Sequence, residues 1–300
     1  YIIPSLGHLK LKDITPMHIQ KFIYNLSEEG IRRNGKYQPL SPKSIRTYYS
    51  TLQSILRFAY RMRIIDYNPA TAQNLDLPKN TPPHIDVLDE KQIQKVLILL
   101  EKEPIMWKTL IHLALCTGCR RGELAALQWE DILWKENKIK ITKSIYQTKG
   151  EIGIKLPKTK SSIRTVSVPA YLMDLLKQYK SYQSSQILCS PEKSNPENML
   201  FTNQKGTYIC PEVIYKWFQS FLNKNGLPKI KFHALRHTSA TILLANGTNI
   251  KTVSSRLGHT NLTTTNRYVH ALNDADVSAA ALLGDKFEHT KEGQEWDKAL

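Results

Sequence analysis

Long apolar runs are missing from this chain: no stretch approaches the roughly 20 residues that a membrane-spanning helix needs, and no membrane partner is expected. The first residues, Tyr1-Ile2-Ile3-Pro4, carry neither a basic segment nor the apolar run of a secretion signal, and no initiator methionine. A longer parent product is therefore expected. Cysteine is scarce. Four in 300 residues (Cys116, Cys119, Cys189, Cys210) make a poor disulfide framework and point to a reducing, cytoplasmic compartment. Cys116 and Cys119 spell C-x-x-C, but a structural zinc site wants a second such pair, and Cys189 and Cys210 lie too far apart to supply one. A thioredoxin-like motif would follow a strand, whereas this one ends the apolar helical run Trp107–Leu115. No metal site is expected. A G-x-x-x-x-G-K-S/T phosphate loop is also lacking.

Acid is the minority charge. Asp and Glu number 26 against 42 Lys and Arg, a net charge of +16. A surplus of that size favours a polyanion, because each phosphate neutralised releases condensed counterions. The bases are spread along the chain, which argues against a basic amphipathic membrane helix. One stretch departs from this: residues 271–300 hold seven acids and three bases. A body for phosphates and a tail for something else is the natural inference.

What is present reads first as helix. Thr15-Pro16 is a cap-then-proline start, followed by the apolar stripe Ile19, Phe22, Ile23, Leu26. After a polar, basic loop over residues 30–38, Ser41-Pro42 opens a long helix with Ile45, Tyr48, Leu52, Ile55, Leu56 and Ala59 at helical spacing. Its other face carries Lys43, Arg46, Arg57 and Arg61, a solvated face or one that tracks phosphates. Asn68-Pro69 closes this region. The proline-rich connector Leu77–Pro83 is expected to be stiff and without packed structure. A second helical region opens at Leu88-Asp89-Glu90, with Ile93, Val96, Leu97 and Leu100 on one side. Period-two alternation over Lys138–Thr142 and Arg164–Val168 predicts a small antiparallel sheet, with a basic, mobile loop between them over Gln147–Ser162. Helical signals return from Tyr171, through Pro211–Leu222 and Phe232–Ala245, the last stopped by Asn246-Gly247.

Four clusters carry chemistry. In Thr117-Gly118-Cys119-Arg120-Arg121-Gly122-Glu123-Leu124 an arginine follows a glycine turn and opens a helix, where backbone N–H groups already favour an anion. Pro157-Lys158-Thr159-Lys160-Ser161-Ser162-Ile163-Arg164 sets a lysine on a hairpin, from which it can swing and donate a proton. In His233-Ala234-Leu235-Arg236-His237 one turn puts His233 and Arg236 on a common face, a phosphate fork beside a group that titrates near neutrality. His233 and His237 are spaced as metal ligands, but no acid lies between them in the manner of H-E-x-x-H. Leu257-Gly258-His259 is followed, after a short helix, by Tyr268-Val269-His270. Singly, these read as a helix start, a basic loop, a polar helix face and a core tyrosine.

In order and spacing, TGCRRGEL, PKTKSSIRTV, HALRHTSAT, LGH and TTTNRYVH resemble the tyrosine recombinase (phage integrase) family, with integrases of Gram-positive phages and conjugative transposons nearest. The resemblance runs over essentially the whole chain. It implies a mainly α fold with a small antiparallel β-sheet in the catalytic domain (α+β), closing as a two-domain C-shaped clamp on DNA. The implied domains are 1–75, a helical core-binding (SAM-like) domain lacking its first helix; 76–85, the linker; 86–270, the catalytic domain; and 271–300, a tail that docks on a neighbouring subunit.

The resemblance also implies residue roles. Arg120 and Arg236 bind the phosphate, Lys158 protonates the departing 5′-oxygen, and His233 takes the phenolic proton or holds the phosphate. His259 is a further donor, Glu123 positions its neighbours, and Tyr268 attacks to give a 3′-phosphotyrosyl link. Arg120 is chosen over Arg121 because it follows the T-G-x step, and Lys158 over Lys155 and Lys160 from the P-K-T pattern. Lys160 joins Lys43, Arg46, Arg57 and Arg61 as expected DNA contacts. Neither ATP nor a metal ion is needed. The implied partners are double-stranded DNA at attachment or core sites, a Holliday-junction intermediate, a homotetramer on two sites and an excision factor. A type IB topoisomerase, a telomere-resolving enzyme or a non-catalytic DNA-binding protein are the alternatives.

Overall fold

A computed structural model describes residues 1–29, 37–71, 73, 75–79, 86–148, 151–155, 163–189, 194–259 and 261–269, without the side chains of 267 and 269. Lys158, Lys160 and the acidic tail lie outside the described residues. The chain divides into two compact units, Tyr1–His84 and Ile85–Leu300.

The first unit is helical. A single turn, α1 (Ile2–Leu6), precedes α2 (Pro16–Leu26) and α3 (Pro42–Arg61). Thr15 caps α2, its hydroxyl accepting from the His18 amide while His18 Nδ1 accepts from the Thr15 N–H. Ile19, Phe22, Ile23 and Leu26 meet Ile45, Tyr49, Leu52, Leu56 and Ala59 in one core. Each large side chain so buried contributes about 1.5–3 kcal/mol.

Two positions on α3 depart from the expected stripe. Tyr48 and Tyr49 both fit the apolar register, and Tyr49 takes the core place because its hydroxyl donates to the Ala70 carbonyl at 2.9 Å. Ile55, a step of about 100° from Leu56, is exposed. On the polar face Lys43, Arg57 and Arg61 are exposed, with Arg61 near the Phe58 ring. Arg46 differs: its Nε donates to the Pro78 carbonyl at 2.8 Å, and Leu77 packs partly on the core. The start of the connector is thus pinned to the first unit, against the expectation that it holds no packing.

The second unit is built around α5 (Ile105–Thr117), apolar on nearly every side. Before it, α4 (Glu90–Leu100) is capped reciprocally by Asp89 and Gln92. After it, α6 (Arg121–Ala125) leads to β1 (Ile132–Leu133) and β2 (Lys138–Ile141). The hairpin β3 (Ser144–Thr148) and β4 (Glu151–Lys155) pairs Ile145 with Ile154, occupying part of the segment expected as a loop. Gly153 leaves room for the Tyr146 side chain, whose ring end and hydroxyl a Cβ there would meet at 2.8–2.9 Å.

β5 (Arg164–Ser167) returns to β2, giving the antiparallel order β1-β2-β5 with Ile139 opposite Val166 and Ile141 opposite Arg164. The remaining helices are α7 (Ala170–Cys189), α8 (Pro211–Lys224), α9 (Ala234–Ala245), α10 (Ile250–Leu257) and α11 (Leu262–Val269). The fold is mainly α with small antiparallel sheets. Ala240, Val253, Leu257 and Tyr268 form a separate small core joining α9, α10 and α11.

Candidate active site

Two left-handed glycine turns frame the site. α5 ends at Gly118, φ +63°, and α10 ends at Gly258, φ +69°. Such φ values suit glycine, which has no Cβ to clash with the following carbonyl. Between the turns lies Arg236, 1% exposed, on the first turn of α9. Its Nη1 donates to the Gly118 carbonyl at 2.7 Å and its Nη2 to the Leu257 carbonyl at 2.8 Å. The guanidinium is thereby fixed in plane. Its Nε–H is buried without a hydrogen-bond partner among the described residues.

Arg120 precedes α6, and Glu123 lies one turn into it. The Glu123 carboxylate accepts from the Arg120 amide and from Arg120 Nη1, both at 2.8 Å. From β5, Arg164 adds Nη2 to Oε2 at 2.7 Å and Nη1 to Oε1 at 3.3 Å. Arg164 Nε donates to the Arg256 carbonyl at 2.8 Å, at the end of α10. Burial alone would raise the Glu123 pKa; the Arg164 bonds and charge, with the Arg120 N–H and guanidinium, reverse that and hold it below the usual carboxylate range. Burial pulls Arg164 down and Glu123 more than offsets it. Arg121 points elsewhere, to Glu212 at 3.8 Å and over the Tyr215 ring.

The histidines complete an electropositive cluster. Partial burial, then His237, Arg236 and Arg120, push His233 down to about 4, although the residue is exposed. His259 is also pushed to about 4, by burial and then by Arg236, Arg120 and Arg164. Its Nδ1 lies 2.8 Å from the Thr265 hydroxyl. Burial and the Arg120 charge bring Arg236 to about 10, so it stays cationic at neutral pH. Groups that depress one another in this way are assembled for an anion. Tyr268, on α11 and 2% exposed, lies against this cluster. Its ring is 6.3 Å from that of His259 and 5.3 Å from that of His237, whose Nδ1 is 2.9 Å from the phenolic oxygen.

Of the expected site residues, Arg120, Glu123, His233, Arg236, His259 and Tyr268 therefore converge. Sequence reasoning passed over two more. Arg164 read as the start of a strand; its signal was the two-residue period that turns it inward with Val166. His237 read as half of a metal pair, and nothing local tied it to Tyr268.

Comparisons with known proteins place the chain in a family. The model of the Phage integrase family matches residues 86–274, and that of the phage integrase N-terminal SAM-like domain matches residues 1–27. The chain belongs to the phage integrase family. It is 31% identical to a XerC-like tyrosine recombinase of Caldanaerobacter subterraneus subsp. tengcongensis, over 94% of this chain and 74% of that one. It is 28% identical to the ICEBs1 integrase of Bacillus subtilis, over 92% and 72%.

In fold it is similar to the Tn1549 transposon integrase, solved with transposon right end DNA (TM-score 0.73, 22% identity, 87% of this chain and 82% of that one). It is similar also to a lambda integrase dimer bound to a core site (TM-score 0.61, 20% identity, 100% and 88%). As a tyrosine recombinase, allied with those of Gram-positive mobile elements, it is an enzyme of site-specific DNA recombination.

Proposed function

We propose that Tyr268 attacks a phosphate of double-stranded DNA, giving a 3′-phosphotyrosyl enzyme and a free 5′-hydroxyl, and that this serves to integrate and excise a mobile element. The observation that carries the reading is the tyrosine set beside two arginines and two histidines that are electrostatically coupled to one another.

Arg120 and Arg236 neutralise the non-bridging oxygens as charge builds on phosphorus, the unused Nε–H of Arg236 being one ready donor. Holding both guanidiniums in place beforehand spares reorganisation during the reaction. His233 and His259 add donors, and Glu123 holds Arg120. Lys158 delivers the proton to the leaving 5′-oxygen. Because the phosphotyrosyl link keeps the energy of the broken bond, rejoining needs no ATP.

The substrate is duplex DNA at attachment sites, passing through a Holliday junction within a homotetramer on two sites, with an excision factor setting direction. Exposed Lys43, Arg57 and Arg61, with Lys160, track the backbone, while Arg46 serves the connector. The acidic tail docks on a neighbouring subunit, and the enzyme works in the bacterial cytoplasm, at the nucleoid.

The test is covalent capture. Protein is mixed with supercoiled DNA carrying the ends of the encoding element, with EDTA and without ATP, and quenched in SDS. An adduct that vanishes in Tyr268→Phe is expected. No adduct on any such DNA, nicked substrates included, removes the catalytic reading.

A further inference from the structure

A phenol with an ordinary pKa of about 10 keeps its proton at neutral pH, so attack on phosphorus needs an acceptor for it. The histidine one turn before Arg236 is the residue that sequence spacing offers for this task. The structure offers a different one. The phenolic oxygen of Tyr268 lies 2.9 Å from Nδ1 of His237, the residue after Arg236. His233 instead packs edge to face on His237, ring centroids 4.6 Å apart, and is an exposed residue.

What surrounds His237 suits an acceptor. On its own helix stand Arg236 and His233; on α11 stands Tyr268. From the segment before α4 comes the carboxylate of Asp86, whose charge acts on the ring in the direction that favours the protonated form. That segment is fixed to α9 one residue beyond His237, where the Leu88 amide donates to the Thr238 hydroxyl at 2.9 Å. Burial, and then the Arg236 charge, lower the pKa of His237 and keep its ring neutral and able to accept at neutral pH. Asp86 opposes them, and its pull matters once the ring is charged.

We infer that His237 is the catalytic base for Tyr268. The inference rests on the recombinase reading above and adds to it. In the forward step the phenolic oxygen bonds to phosphorus as the bond to the 5′-oxygen breaks. The phenolic proton passes to His237 Nδ1, and the 5′-oxygen takes a proton from the general acid. On rejoining, the 5′-hydroxyl attacks, its proton returns to that acid, and His237 gives its proton back to the departing phenolate. His233 is left to the phosphate.

The experiment isolates loss of the phenolic proton. The probes are nicked duplexes spanning the junction of the circularised encoding element, with sulfur in place of the bridging 5′-oxygen at the cleaved phosphate. Sulfur departs without a general acid, so adduct formation reports on attack. For the unaltered enzyme the rate should level off as pH rises through the His237 titration. His237→Asn keeps a hydrogen bond to the phenol but takes no proton; its rate at neutral pH should fall about 10²-fold or more and climb steadily with pH. Asp86→Asn removes a charge that favours the protonated ring, so the levelling-off should move to lower pH.

A His237→Asn enzyme as fast as the parent, or faster, overturns the assignment and makes the contact a resting clasp. A slower enzyme with the parental pH profile also overturns it, in favour of a structural role. Loss of the adduct from the unaltered protein overturns the recombinase reading with it. An adduct present in the parent and absent from Tyr268→Phe leaves that reading standing whatever His237 does.

Discussion

Arg164 and Glu123 form a buried ion pair in which the two terminal guanidinium nitrogens meet the two carboxylate oxygens. The pair spans the active site from the side: Arg164 belongs to β5, Glu123 to α6, and the carboxylate passes the constraint on to Arg120. Arg164→Ala would leave the Glu123 charge buried with Arg120 as its nearest cation. Breaking a buried pair from one side costs about 3–5 kcal/mol. A urea melt should show a loss of that order, and Arg164→Lys, unable to bridge both oxygens, should recover only part of it. A loss below about 1 kcal/mol would mean that solvent reaches the pair freely.

Arg120 and Arg121 should separate cleanly in kinetics. Arg120→Lys loses the Nη1 bond to Glu123 and, on the proposed mechanism, one phosphate donor, so adduct formation should slow about 10²-fold. Arg121 makes a long, partly exposed contact with Glu212, worth less than about 1 kcal/mol, and Arg121→Lys should stay close to the parent. Equal cleavage by Arg120→Lys and the parent would defeat the assignment.

Gly118 and Gly226 share a left-handed backbone, φ +63° and +61°, in different surroundings. A Cβ at 118 would sit 2.4 Å from the buried Leu257 Cδ2; one at 226 has nothing within 4 Å. Gly226→Ala should cost only the backbone strain, about 1–2 kcal/mol. Gly118→Ala should cost more and also displace the carbonyl that holds Arg236, so that recombination is lost with it. Thermal melts of both variants, beside a recombination assay, check this.

Acid should weaken the DNA-free protein before its carboxylates titrate. His233 and His259 have folded pKa values near 4 against an ordinary 6.5, and burial lowers His112 as well. Between those values the unfolded chain binds more protons than the folded one, so stability falls as pH drops from about 6.5 towards 4. The urea midpoint should be lower at pH 5 than at pH 7. Replacing His259 by Gln should flatten that difference; a midpoint unchanged over the interval would remove the depressed histidines from the account.

Much of this was legible in sequence, and the limits have physical causes. The starts of α2 and α3 announce themselves by a capping hydroxyl followed by proline. Arg120, His233, Arg236 and Tyr268, which the structure brings together, could be picked out because each lies in a short contiguous motif of the family. Local spacing put Tyr48 on the stripe where Tyr49 is the buried residue, since the deciding hydrogen bond reaches to Ala70. It could not find the contact between His237 and Tyr268, formed across 31 positions by the packing of α11 on α9. The β3–β4 hairpin was passed over although Ile152 and Ile154 recur with period two, because the surrounding Lys, Gly and Thr residues read as a basic loop.

The double grip of Arg236 on the Gly118 and Leu257 carbonyls bears on how an inactive enzyme should be made. A side chain that ties two helix ends together is a structural strut, whatever part it plays in the chemistry. Truncating it confuses collapse of the pocket with loss of charge, and leaves two carbonyls stranded in the interior. For trapping DNA complexes the gentler choice is Tyr268→Phe, which removes one oxygen and leaves the strut in place.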